Sequence, residues 1–141
     1  MKKKSKLIIL SILFIIGLIV LAYGFINIEK IDKKNSIIGN WYGSSSQIEM
    51  NFILSKKYNC VFLIKDLPTG KISKFDGVCS FDFTKSPHSL DIQDAIQGSL
   101  YTIINFINPD TIRIARFSKK WRLRPISFNQ NDLILIKVDK K

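Results

Sequence analysis

The sequence predicts an all-β fold, a small antiparallel barrel of about eight strands preceded by one transmembrane helix. Three observations predict it. A charge-free apolar run follows a lysine cluster at the N-terminus, the residue pattern changes to period two from Ile37 onward, and short β-rich runs alternate with Gly, Pro and Asn turns without a helical period of useful length. The chain has 141 residues. With the apolar segment set apart, about 110 residues remain, enough for one small core.

Lys2, Lys3, Lys4 and Lys6 form a basic tail over residues 1–6 and precede an uncharged run over residues 7–26. About 20 residues at about 1.5 Å rise each match a hydrocarbon core about 30 Å thick. A helix satisfies its own backbone in lipid. The lysines ahead of the run, set against the mixed Glu29, Lys30, Asp32, Lys33 and Lys34 behind it, orient the N-terminus to the cytoplasm and the rest of the chain outside. A cleavable signal peptide is the rival reading, because Ala22-Tyr23-Gly24 places small residues where a signal peptidase reads. The run is long for that role and continues through Phe25 and Ile26, which favours a retained signal anchor in the cytoplasmic membrane. Both readings put the domain in the same compartment. Gly17 and Gly24 do not make a Gly-x-x-x-Gly motif, so the sequence gives no sign of helix pairing and leaves the oligomeric state unassigned. Residues 27–36 read as a linker and residues 37–141 as the extracytoplasmic domain.

Within that domain, Gln47–Leu54 begins with alternating polar and apolar residues and reads as a strand. Tyr58–Asp66 and Lys71–Phe83 flank the turn signal Pro68-Thr69-Gly70 and read as a hairpin. The later runs are Leu90–Ile92, Ser99–Phe106, Thr111–Phe117, Trp121–Phe128 and Leu133–Val138, with a helical turn conceivable only over Asp91–Gln97. Closure into a barrel is expected over an open sheet because it removes two unpaired edges from a chain rich in β-branched residues. Phe52, Phe62, Phe75, Phe81, Phe83 and Phe106 supply enough aromatic volume to fill a small barrel.

Gly39-Asn40-Trp41, ahead of the first long strand, resembles the Gly-x-Trp opening of lipocalin-like barrels. Lys85-Ser86-Pro87-His88-Ser89-Leu90-Asp91, Pro109-Asp110-Thr111-Ile112-Arg113-Ile114 and Arg124-Pro125-Ile126-Ser127-Phe128 follow in the order of a lipocalin-like domain first described from planctomycetes. That family shows Lys-x-Pro leading to Leu-Asp, then Asp-Thr-Leu, then Arg-Pro-x-x-Phe. The resemblance covers residues 37–138, with Asn40, Ile112 and His88 standing where Thr, Leu and Lys are usual. It implies a small antiparallel barrel in which Gly39, Trp41, Arg124, Pro125 and Phe128 are structural, with Arg124 lying over Trp41. It implies no activity, because the family has none established.

With Thr69 and Gly70 at the hairpin tip, Cys60 faces Cys79 across the strand pair, close enough for a disulfide in an oxidising compartment. Two buried thiols are the alternative. Two Cys and one distant His are too few ligands for a metal site, and no cofactor motif is present. His88, with Ser86, Ser89, Asp91 and Asp94 nearby, lies in a segment that reads as an exposed turn, and no Gly-x-Ser-x-Gly elbow or phosphate loop accompanies it. An enzyme is therefore not expected.

Charge is more informative. Lys and Arg number 22 against 11 Asp and Glu, and Arg113, Arg116, Lys119, Lys120, Arg122 and Arg124 fall in a stretch without an acid. On a strand, Lys120, Arg122 and Arg124 share one face and Trp121 and Leu123 the buried other. One reading is contact with an anionic surface; the other is a solvated face. Nucleic acid is not expected in this compartment. Two functions follow. The first is a membrane-anchored binding module holding a small apolar or amphipathic ligand in its barrel. The second is an envelope interaction protein with a filled barrel that engages an anionic polymer, membrane surface or protein through residues 113–124.

Overall fold

Short alternating strands can each bury one face, and eight of them satisfy those faces without open edges only by rolling up. The structure, a computed structural model, describes residues 31–94 and 96–138 together with residue 15. Apart from residue 15, the predicted anchor at 7–26 lies outside the described residues, as do the basic tail and the first part of the linker. Among the described residues no helix is long and apolar enough to cross a membrane.

The strands are β1 (Gly39–Ser44), β2 (Ile48–Leu54), β3 (Asn59–Asp66), β4 (Ile72–Asp82), β5 (His88–Asp94), β6 (Gly98–Asn108), β7 (Thr111–Ile114) and β8 (Leu133–Val138). Each pairs antiparallel with the next, and β8 returns to β1 through Asn40 with Val138, Trp41 with Lys137 and Tyr42 with Ile136, so the barrel is closed. A single helical turn, α1 (Lys33–Ser36), with Asp32 accepting from the Asn35 amide, stands where the sequence reads as linker.

The up-and-down order sorts the connections. At the near end, where the chain comes in, lie α1, the β2–β3 and β6–β7 turns, the 83–87 loop and the end of β8. At the far end lie the β1–β2, β3–β4 and β5–β6 turns and the long excursion from Ala115 to Asp132 that joins β7 to β8. Turn chemistry is local. Asp66 accepts from the Thr69 amide at 2.9 Å, Asp94 from the Ile96 and Gln97 amides at 2.7 Å each, and Asn108 from the Asp110 amide at 2.9 Å.

Period two sets the core. Trp41, Phe52, Phe62, Leu90, Ile92, Ile104, Ile112 and Leu135 are fully buried, with Met50, Leu54, Leu100, Ile114 and Leu133 nearly so. Phe52 and Phe62 stack at 4.1 Å between centroids, and Phe117 from the excursion meets Phe62 edge-on at 5.2 Å. Phe81 stacks on Phe83, which also meets Phe106 at 6.5 Å. All six phenylalanines expected to fill the barrel belong to or pack against its core.

Two sequence expectations are overturned, on Trp121–Phe128 and His88, and the one helical turn the sequence allows does not form. Trp121–Phe128 is not a strand: Trp121–Leu123 is a single 3-10 turn in an irregular excursion, and the eighth strand is instead β1. The alternation of Trp121 and Leu123 finds no inner face, because eight other strands already close the barrel. Asp91–Gln97 is not helical, since β5 runs on to Asp94 and the turn comes after it. His88 is not an exposed turn residue. It opens β5, is 3% exposed and faces inward, with its ring 5.5 Å from that of Phe83.

A candidate surface site on the β7–β8 excursion

The chain places the basic residues on β7 and the connection that follows it, in two different roles. Arg113 projects from the outer face of β7, its guanidinium 5.0 Å from the Phe128 ring centroid and its Nη2 donating to the Asn129 carbonyl at 2.6 Å. Arg124 lies over Tyr101 at 5.5 Å and donates through Nη2 to Asp91, whose strand partner is Tyr101. Residues 119–129 therefore form a strap across the outer wall of β5, β6 and β7, pinned at both arginines. A further tie is the bridge in which Ser118 and Tyr101 exchange backbone hydrogen bonds at 2.9 and 2.8 Å. Pro125 and Phe128 are half-buried within the strap.

Arg116, Lys119, Lys120 and Arg122 are exposed. Arg116 donates to Gln47 at 3.5 Å, and among the described residues none of the four is in an ion pair. No Asp or Glu occurs from Thr111 to Asn131. The apolar members of the strap are exposed as well: Trp121 is 65%, Leu123 66% and Ile126 87% exposed. The expected basic ribbon with a buried aromatic face is thus replaced by a pinned strap that shows both cations and apolar side chains to solvent.

Arg124 does not lie over Trp41. Trp41 is inside the barrel, donating from Nε1 to the Ile37 carbonyl at 2.7 Å, and its cation is Lys137, whose Nζ is 5.3 Å from the ring and donates to the Ser36 carbonyl at 2.9 Å. Gly39 opens β1 at φ +133°, a backbone conformation that favours glycine, with the Lys137 side chain packed beside it.

Cys60 and Cys79 form a disulfide with Cα atoms 5.9 Å apart. The expected register is off by two residues. Cys60 pairs with Gly77 rather than Cys79, because the hairpin tip is at Pro68-Thr69. A shift of two keeps both sulfurs on the inner face, which is why the bond still forms. Gly77 lets the β5 backbone approach closely, since a Cβ there would lie 2.0 Å from the Gln93 carbonyl oxygen.

No family model, no curated protein and no solved structure matches the chain.

Chemistry elsewhere is limited. At the far end a cleft of about 570 Å³ opens, walled by Met50, Ile64, Ile114, Phe117 and Leu133 and rimmed by Gln47, Arg116 and Asp132. Its floor is the packed aromatic core. Burial holds the His88 pKa below its ordinary value; Nδ1 donates to the Lys85 carbonyl, and Nε2 is buried without a partner among the described residues. The carboxylates with lowered pKa close strands: the Thr69 hydroxyl and amide hold Asp66 below its ordinary value, Asp82 is held at about 2 by the Thr84 hydroxyl and by Lys85, and the Gln97, Asp76 and Ile96 amides hold Asp94 below its ordinary value. These groups shape loops rather than converge on a shared space. Tyr101, Asn129 and Lys137 carry no sequence signal of their positioning roles, and Asp91 stands out only as part of the Leu90-Asp91 motif, since each acts through a partner distant in the chain.

Proposed function

We propose that this chain is a non-catalytic, lipocalin-like envelope module that engages an anionic partner through its outer surface, held on the outer face of the cytoplasmic membrane by residues 7–26. The observation that carries the reading is the pairing of a filled interior with the pinned, acid-free strap. Phe52, Phe62 and Phe117 pack together in the barrel core, which confines a guest to the far-end cleft, and on this reading recognition falls to the outer surface. The Gly39 and Trp41 arrangement at the start of β1 supports the lipocalin-like assignment, and the disulfide suits an oxidising compartment.

A second reading has one specific observation in its favour. The far-end cleft combines an apolar wall with a polar rim that carries Arg116 together with Asp66 and Asp132 and is within the size range of small-molecule sites, so a small amphipathic ligand could lodge there. Native mass spectrometry of the full chain, purified from its host envelope and released from detergent in the gas phase, separates the two. A bare chain mass supports the surface reading. Extra mass that leaves on denaturation and persists in the Lys119→Gln, Lys120→Gln, Arg122→Gln variant refutes it in favour of the cleft.

A further inference from the structure

Trp121, Leu123 and Ile126 stand in solvent within six residues of one another, with Lys119, Lys120 and Arg122 exposed among them. Scattered exposed apolar residues need no explanation, but an indole and two aliphatic side chains on one short strap make a concentrated cost of hydration. They lie on the outer side of the barrel wall, so the core within does not bury them. The strap is also not a loose loop, since Arg113 and Arg124 fix its two sides, so this display is presented from a firm base.

The chemistry of an occupant follows from the two components together. A soluble polyanion would meet the cations and leave the apolar trio wet. A folded protein partner would need pockets matched to three side chains on an irregular segment. An anionic bilayer meets both demands: indole rings favour the headgroup level, aliphatic side chains the acyl boundary just below, and lysine and arginine pair with lipid phosphates. The geometry points to Lys119–Ile126 as an interfacial membrane-binding element that seats Trp121, Leu123 and Ile126 in the headgroup–acyl boundary of an anionic bilayer. The inference rests on the proposed function, in that it names the anionic partner of the same strap.

The test uses the full chain reconstituted into vesicles of phosphatidylcholine alone or of phosphatidylcholine with phosphatidylglycerol, each containing brominated lipid as a depth-sensitive quencher of tryptophan. Trp41, fully buried in the barrel, is the internal reference. The expected result is a blue shift and strong quenching of the Trp121 emission in the anionic vesicles, both lost in Trp121→Phe. The combined Lys119→Gln, Lys120→Gln, Arg122→Gln variant should weaken the strap's membrane association by roughly a hundredfold, about fivefold per cation, and return the emission to its unquenched state. All these positions are exposed, so the variants keep the fold, which near-ultraviolet circular dichroism verifies. Unquenched Trp121 in anionic vesicles overturns the inference. If the unquenched chain is still held by an immobilised polyphosphate in a manner that needs the three cations, the proposed function survives with a polymer as partner. If that retention is absent too, both fall.

Discussion

Replacing Arg124 with Gln should free the strap without unfolding the barrel. The Arg124 side chain is 16% and that of Asp91 33% exposed, so their ion pair is partly desolvated and stronger than a surface pair. Hydrogen bonds to charged groups contribute about 1.5–3 kcal/mol, and a partly exposed cation–π contact such as that over Tyr101 about 0.5–1 kcal/mol. Asp91 regains water once the arginine is gone, which offsets part of the loss. The net is about 2 kcal/mol, or about a thirtyfold rise in the open population of the strap. Trypsin reads this directly, because Lys119, Lys120 and Arg122 all lie in the strap and cleavage under mild conditions follows the local opening equilibrium. Nicking at those sites should accelerate about thirtyfold while the core fragments resist. Arg124→Lys keeps the charge but loses the planar stack and should fall between the two. A strap nicked at the wild-type rate in Arg124→Gln would refute its role as a pin. Nicking that only keeps pace with global unfolding would refute the separate opening of the strap.

Further outcomes follow from the core and the near end. Removing the disulfide by Cys60→Ala with Cys79→Ala should cost about 3 kcal/mol for a loop of this length, visible as a lower urea midpoint, and an unchanged midpoint would show that the crosslink adds nothing. Gly77→Ala places a methyl against the Gln93 backbone and should cost about 3 kcal/mol; a neutral result would mean the two strands do not approach so closely. Lys137→Met keeps the stem but removes the donor to Ser36 and the cation over Trp41, for a loss of about 1 kcal/mol in chemical denaturation. His88 binds its proton less readily folded than unfolded, so its contribution is full above the ordinary histidine value of 6.5 and declines as pH falls below it, levelling off under the depressed folded value. His88→Gln should flatten that part of the stability profile, and equal slopes in the two proteins would contradict the assignment.

The barrel was legible in the sequence because its strands alternate cleanly, and most observed strands lie within a few residues of the expected runs. The expected strand number holds although one strand is wrong. Gly39–Ser44 carries two glycines and is not among the expected strands, yet Trp41 anchors it in the core; Trp121–Phe128 alternates well yet has nothing to bury against. Alternation predicts a strand only where a partner face exists, and that is a tertiary fact. Pairing with specific partners was less legible still. Parity places a side chain inside or outside, which is why Cys60 and Cys79 meet despite a two-residue error in register, whereas Arg124 on the outer wall could never reach Trp41 on the inside. The basic cluster was visible as composition. Its division into two pinning arginines and four exposed cations was not, because Asp91, Tyr101 and Phe128 are brought to them only by the closed sheet.

That division bears on the choice between a solvated face and a working surface. An ordinary solvated loop of this length stays mobile or shortens, since ordering each residue costs about 1–2 kcal/mol of conformational entropy. Here the segment is ordered by two arginines, each with its Nε buried and unpartnered among the described residues, an arrangement that gives up some hydrogen bonding to hold the strap in place. What the strap then displays, Trp121, Leu123 and Ile126, adds nothing to the domain's own core. Local features that oppose stability without an internal return are where function is expected to lie. On the proposed reading the return comes from outside the domain, where an anionic partner neutralises Lys119, Lys120 and Arg122 and removes the apolar trio from water. It follows that the isolated chain should be stabilised by loosening this strap's composition, for instance by Trp121→Ser with Leu123→Ser, while losing its partner. A variant that gained stability and kept full partner binding would place the working surface elsewhere, with the exposed Tyr42, Ile134 and Ile136 on the β1–β8 wall as the next face to test.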